Sequence, residues 1–171
     1  MGRKISSKII AAIQKAQKSL HAGKLAMAED ICRKILKKIP DQPDTLHLLG
    51  LIALRNGQYQ RSQQCYTKAL QSHPDNPAYH YNLGITYIHT EQYESAIKCL
   101  EYAAKLQPNL EGVLSDLCFA SERANNFEAA IMAGEKALIQ SPDNATAHFH
   151  LALAYHGWTY LNSSFTHHSN P

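Results

Sequence analysis

The sequence predicts an all-α fold, a right-handed helix-turn-helix solenoid of about four and a half 34-residue repeats. Three observations predict it. Pro40, Pro74, Pro108 and Pro142 stand 34 residues apart, and self-similarity at that period marks a stack of helix pairs. Small side chains recur in phase with the prolines. No sustained apolar/polar alternation signals a strand.

With each proline set as position 32 of its repeat, the helices follow in order. The first pair spans 9–21 and 25–39, with small Ala16 at position 8 and Ala28 at position 20, where the helices cross. The second pair, 43–56 and 59–72, puts Gly50 and Ser62 there; the third, 77–90 and 93–106, Gly84 and Ala96. The fourth, 111–124 and 127–140, has Cys118 and Ala130, and a lone first helix over 145–157 has Ala152. Small residues let the axes approach, and a bulky one would overpack at about 1–3 kcal/mol. Each second helix opens on a large plug, Leu25, Tyr59, Tyr93 or Phe127, two residues after a turn residue, Gly23, Gly57, Glu91 or Asn125. A proline beyond each second helix cannot continue it, and the Asp and Asn beside it suit turns and N-caps. The repeats therefore lie near 9–42, 43–76, 77–110 and 111–144, with a half repeat 145–157 completing a domain over 1–157. No second helix follows Gly157 in phase, so 158–171 is expected to be an irregular tail.

This small–small–large–proline pattern resembles the tetratricopeptide repeat family over about residues 9–157. The first repeat departs most, with Ala12 and Lys15 where the family favours larger apolar residues. The resemblance implies that first helices line a binding groove. It assigns to that groove His47, Leu51 and Arg55; Tyr81, Asn82, Ile85 and His89; and Asp116, Phe119 and Arg123. Tyr81, Asn82, His89, Phe119 and Arg123 would form its centre. An apolar floor with aromatic and polar groups suits an extended or helical peptide. Leu51, Ile85, Phe119 and Leu153 have a second reading, as core between neighbouring first helices. Family members that bind acidic chaperone tails carry a clamp of Lys, Asn and Arg. Here Asn82 matches one clamp position, but His47, Leu51, Gly112 and Asp116 take the others, so no clamp is expected. The asparagine ladder of O-GlcNAc transferases is matched only at Asn82, within Tyr81-Asn82-Leu83-Gly84. The stretches 26–36 and 44–50 also resemble the N-terminal repeats of bacterial proteins that continue into a sulfotransferase or glycosyltransferase domain.

Composition narrows the function. At 171 residues and 44% hydrophobic, the chain can bury one continuous core. No apolar run reaches bilayer length, and no signal peptide is read, so a cytoplasmic setting without membrane contact is expected. Cys32, Cys65, Cys99 and Cys118 fall on covered helix positions and are expected as reduced thiols. Residues 1–42 hold 10 Lys or Arg against 3 Asp or Glu, while 43–171 hold 7 against 11. That basic end, including Arg3, Lys4, Lys8, Lys15 and Lys18, reads as a solvated cap. No aromatic residue precedes Tyr59 to stack bases, so no nucleic acid is expected. The 1–6 stretch fits the loose myristoylation pattern by chance. His148, His150, His156, His167 and His168 lack converging spacing, so no metal is expected. No phosphate loop, nucleophile elbow or paired carboxylate appears, so no cofactor and no catalytic residue is expected.

The expected function is a noncatalytic scaffold holding a protein or peptide ligand. The alternative is the recruiting arm of a sulfotransferase or glycosyltransferase. The half repeat raises a further question, because Phe149, Leu151, Leu153 and Tyr155 have no second helix in phase to cover them. A homodimer through 145–157 would cover them; so would Trp158, Tyr160, Leu161 and Phe165 folding back.

Overall fold

The computed structural model describes residues 6–167. Residues 1–5 of the myristoylation pattern, with Arg3 and Lys4 of the basic end, lie outside the described residues, as does His168. The all-α expectation holds: no strand occurs among the described residues. The helices are α1 (Ser7–His21), α2 (Leu25–Lys38), α3 (Pro43–Arg55), α4 (Tyr59–Ser72), α5 (Pro77–His89), α6 (Tyr93–Leu106), α7 (Val113–Arg123), α8 (Phe127–Gln140) and α9 (Ala145–His167). Every end but one falls within two residues of the boundary expected from the spacing.

The exception is a correction. Residues 158–167 are helical, as the C-terminal part of α9, not an irregular tail. A repeat pattern can stop while its helix continues. Gly157 alone costs only about 1 kcal/mol relative to alanine, and no proline follows it before Pro171. Gly157 also fits α8, because a Cβ there would overlap the ring of Phe127. Trp158, Tyr160 and Leu161 are exposed along this helix, so they do not fold back over it; the side chain of Phe165 lies outside the description.

Turn and cap chemistry explains the boundaries. The residue at position 15 is left-handed in all four turns: Gly23 at φ 73°, Gly57 at 70°, Glu91 at 57° and Asn125 at 58°. Such a residue ends a helix cheaply only when it lacks a Cβ or is Asn. At the N-termini, Gln42 Oε1 accepts from Thr45 N at 2.6 Å, and Asn76 and Asn144 cap α5 and α9 in the same way. Before α7 stands Gly112, left-handed at φ 81° and without a capping side chain, and that helix starts two residues late.

The chain divides into two compact units, Met1–Thr86 and Tyr87–Pro171. In the first, α1 pairs with α2 and α3 with α4, and both α1 and α2 pack on α3. Its core joins Ala16, Leu20, Cys32, Ile35, Leu49 and Ile52. At the second crossing a Cβ on Gly50 would lie 2.6 Å from the ring of Tyr66, which is fully buried. Ser62 is more than small there: its hydroxyl donates to Gly50 O at 3.1 Å and lies 3.0 Å from Thr86 Oγ1. In the second unit α6 and α8 pack on α7, and α9 packs on both α7 and α8. The core here is Cys118, Ala130, Ala133 and Ala154, supported by Leu117, Phe127, Ile131 and Leu151. Its crossing reverses the sizes: Gly134 on α8 receives Cys118 Sγ, 3.0 Å from where a Cβ would stand.

Candidate functional site

In the first unit, α3 supplies His47, Leu51 and Arg55, and α5 supplies Tyr81, Asn82 and Ile85. The side-chain amide nitrogen of Asn82 donates to Ala78 O at 2.8 Å and lies 3.2 Å from His47 Nε2. A carbonyl can only accept, so the amide nitrogen of Asn82 must face Ala78 O. It then donates to His47 Nε2 as well, which fixes the His47 proton on Nδ1 and the ring as neutral. The pair keeps one donor, His47 Nδ1–H, and one acceptor, Asn82 Oδ1, beyond these bonds; neither is among the buried unpartnered atoms. The His47 ring leans on Tyr79 at 5.1 Å and Tyr66 at 5.9 Å between centroids. Burial holds its pKa below the usual imidazole value, against a smaller opposing effect of Asp44.

Beside this pair stands a network that the sequence reading missed. Tyr79 donates to Asp44 Oδ1 at 3.3 Å, and Gln42 Nε2 donates to Asp44 Oδ2 at 3.1 Å. Burial first, then Asp44, pushes the Tyr79 phenol up to about 12. The signal was available in Gln42-Pro43-Asp44-Thr45, an N-cap sequence whose carboxylate sits one repeat from Tyr79. The other assigned residues divide. Arg55 Nη1 donates to Leu20 O at 3.1 Å, holding the C-terminal end of α1. Leu51 packs half-buried against the core, in keeping with its second reading. Tyr81 and Ile85 are half-buried on α5.

In the second unit, His89 is exposed at the end of α5, while Asp116, Phe119 and Arg123 follow one another along α7. Phe119 stands edge-on to Tyr93, centroids 6.2 Å apart, and to His150 at 4.7 Å. The Arg123 guanidinium lies over the Tyr93 ring at 5.7 Å. Glu122 and His150 were not assigned to the site, yet Glu122 Oε2 lies 3.3 Å from His150 Nδ1 with both side chains 14% exposed. Their signal is positional, because both fall on inward positions of successive first helices. Phe149 stands against His150 at 5.0 Å.

All four cysteines are free thiols, three of them buried and Cys99 half-buried. Burial, with a smaller effect of Glu29 and Cys65, pushes Cys32 up to about 12. Cys99 rises to about 11 by burial, and Cys118 to about 11 by burial and then Glu122. Thiols held so firmly protonated are poor nucleophiles. Among the described residues no three His, Cys, Asp or Glu side chains come together as metal ligands. None of the described helices is long and apolar enough to cross a membrane.

Residues 47–111 match the tetratricopeptide repeat family. No curated protein matches the chain. Among solved structures, an O-GlcNAc transferase mutant of Thermobaculum terrenum is 26% identical with a TM-score of 0.74; the match covers 82% of this chain and 27% of that one. A MamA of Desulfovibrio magneticus RS-1 is 20% identical with a TM-score of 0.79, over 98% of this chain and 100% of that one. A chain of the APC/C hetero-tetramer Cut9–Hcn1 is 20% identical with a TM-score of 0.78, covering 85% and 30%. The chain thus spans about a quarter of the transferase. These matches agree with the tetratricopeptide resemblance read from the prolines and the small residues in phase with them.

Proposed function

We propose that this chain of tetratricopeptide repeats is a noncatalytic protein–protein interaction scaffold, taking a peptide segment on the faces of its first helices. In the first unit the receiving face is that of α3 and α5; in the second it is that of α7 and α9. The observation that carries the reading is the His47–Asn82 pair. Its remaining donor and acceptor match the C=O and N–H of a peptide group. Leu51, Tyr81 and Ile85 add apolar and aromatic surface, while Arg55 serves mainly to hold α1. Phe119, Asp116, Arg123 and His89 extend the assignment to the second unit. The noncatalytic part of the reading rests on what repeat solenoids of this kind generally do, which is to hold a partner. The test is selection of displayed peptides on the purified chain, followed by calorimetry. Asn82→Ala combined with Arg123→Ala should weaken a selected peptide by about tenfold or more, about 1.4 kcal/mol, with helix content intact. Undiminished affinity would move the site elsewhere.

The transferase likeness favours a second reading, in which the repeats recruit substrates for a transferase. A transferase domain in the downstream reading frame would support it. A contact between copies, which would compete with a peptide for α9, is also part of the proposal. Phe149 and Leu153, exposed one turn apart on α9, leave apolar surface that a second copy would cover, whereas Tyr155 turns to α8, where its hydroxyl donates to Glu135 Oε1 at 2.6 Å. Light scattering over a concentration series decides, and a strictly monomeric chain would remove the contact. The free thiols support a reducing, cytoplasmic setting.

A further inference from the structure

The units carry opposite charge. Met1–Thr86 holds 13 Lys or Arg against 5 Asp or Glu, and Tyr87–Pro171 holds 4 against 9. We infer that the second unit receives a cationic side chain of its peptide partner, lysine or arginine, at the Glu122 carboxylate beside the rings of Phe119 and Phe149. This inference rests on the scaffold reading and specifies the chemistry of one of its faces.

Glu122 is an inward residue of α7 whose hydrogen-bond partner is His150, at 3.3 Å. That is longer than the roughly 2.7–2.9 Å usual for a nitrogen cation on a carboxylate. The side chain is 14% exposed and neither oxygen is a buried orphan, so the carboxylate keeps a narrow opening with acceptor positions beyond the one that His150 takes. The walls suit a cation. Phe119 and Phe149 each stand about 5 Å from the His150 ring, at 4.7 and 5.0 Å. Phe149 is 61% exposed, and Leu153 one turn further on is 39% exposed. Cations favour aromatic faces, more so where water is partly excluded. The same unit already shows the contact in miniature, with the Arg123 guanidinium on the Tyr93 ring. Arg123 keeps its positive charge on that ring and is drawn to Glu122 and Glu91 as well, but Asp116, Glu122 and Glu91 outnumber it, so the local balance stays acidic. A purely architectural Glu122–His150 link would join α7 to α9 without caring what a peptide carries, and that is the rival to be separated.

The test uses the full chain and four capped pentapeptides, identical except for a central lysine, arginine, norleucine or glutamate between a leucine and a phenylalanine. Binding is followed by NMR through the side-chain signals of Phe119, Phe149 and His150. The lysine and arginine peptides should saturate these signals at about tenfold lower concentration than the norleucine peptide, with the glutamate peptide weakest. The preference should shrink at high salt. Glu122→Gln should abolish the preference while leaving the circular dichroism unchanged. Equal binding of all four peptides at this face would overturn the cationic assignment and leave the scaffold reading standing. So would a lysine preference that survives Glu122→Gln. Silence of these signals toward every peptide overturns it too, while display selection still judges the scaffold reading separately. Should Glu122→Gln unfold the chain, the four-peptide comparison on the unaltered protein decides alone.

Discussion

Gly50 has the fully buried ring of Tyr66 lying across it. Alanine there would place a methyl 2.6 Å from a ring carbon that has nowhere to go. Gly50→Ala should therefore cost about 1–3 kcal/mol in denaturant unfolding; an unchanged midpoint would refute the crossing. Glu91 presents the opposite case. Its left-handed backbone, φ 57°, costs a residue with a Cβ about 1–2 kcal/mol, offset by the chain entropy that glycine loses. Glu91→Gly should therefore raise the melting temperature slightly, and a lower value would count against strain at that turn. His47 gives a pH dependence with a definite sign. Its folded pKa is depressed below the usual 6.5 by burial, against the opposing effect of Asp44. The stability it contributes is full above 6.5 and is lost as pH falls through the folded value. Melting temperatures taken from pH 7 down to pH 5 should therefore fall, and His47→Phe should flatten the slope. A variant with the parent's slope would place the titrating group elsewhere.

Some helix starts carry a side-chain cap, while α1, α2, α4 and α6 begin without one. Asn144 Oδ1 accepts from Ala147 N at 3.0 Å and fixes the start of α9, whereas Gly112 leaves α7 without a side-chain cap. Asn144→Ala should cost about 0.5–2 kcal/mol, seen as faster amide exchange in the first turn of α9. Exchange rates equal to the parent's would assign the start of α9 to packing. The spacing alone places α7 at 111, because it counts residues from the proline and not the backbone angle at Gly112. It also ends α9 at 157, because the repeat stops there. The helix continues because no residue before Pro171 prevents it and the ring of Phe127 seats Gly157.

Repeat arrays add their stability from local units and nearest neighbours. Gly50→Ala should therefore raise amide exchange through the core of Met1–Thr86 while Cys118, Ala130 and Ala133 in Tyr87–Pro171 keep their protection. Equal loss throughout would mean that the chain unfolds as one cooperative body.

Helix number, order and crossing points were legible in the proline period and the small residues in phase with it, because backbone sterics and close approach act through local residue types. The turn positions were legible too, at Gly23, Gly57, Glu91 and Asn125, but the left-handed backbone they share, unusual for Glu91, was not read from the residue types. The donor–acceptor logic of His47 and Asn82 was not legible, since two hydrogen bonds from the Asn82 amide nitrogen, 2.8 and 3.2 Å long, fix it and both depend on side-chain orientation. Nor was the engagement of Arg55 with Leu20 O, or the meeting of Glu122 with His150. A repeat pattern fixes which positions face inward; which of those side chains satisfy one another is decided by distances of a few ångströms that only the packed helices set.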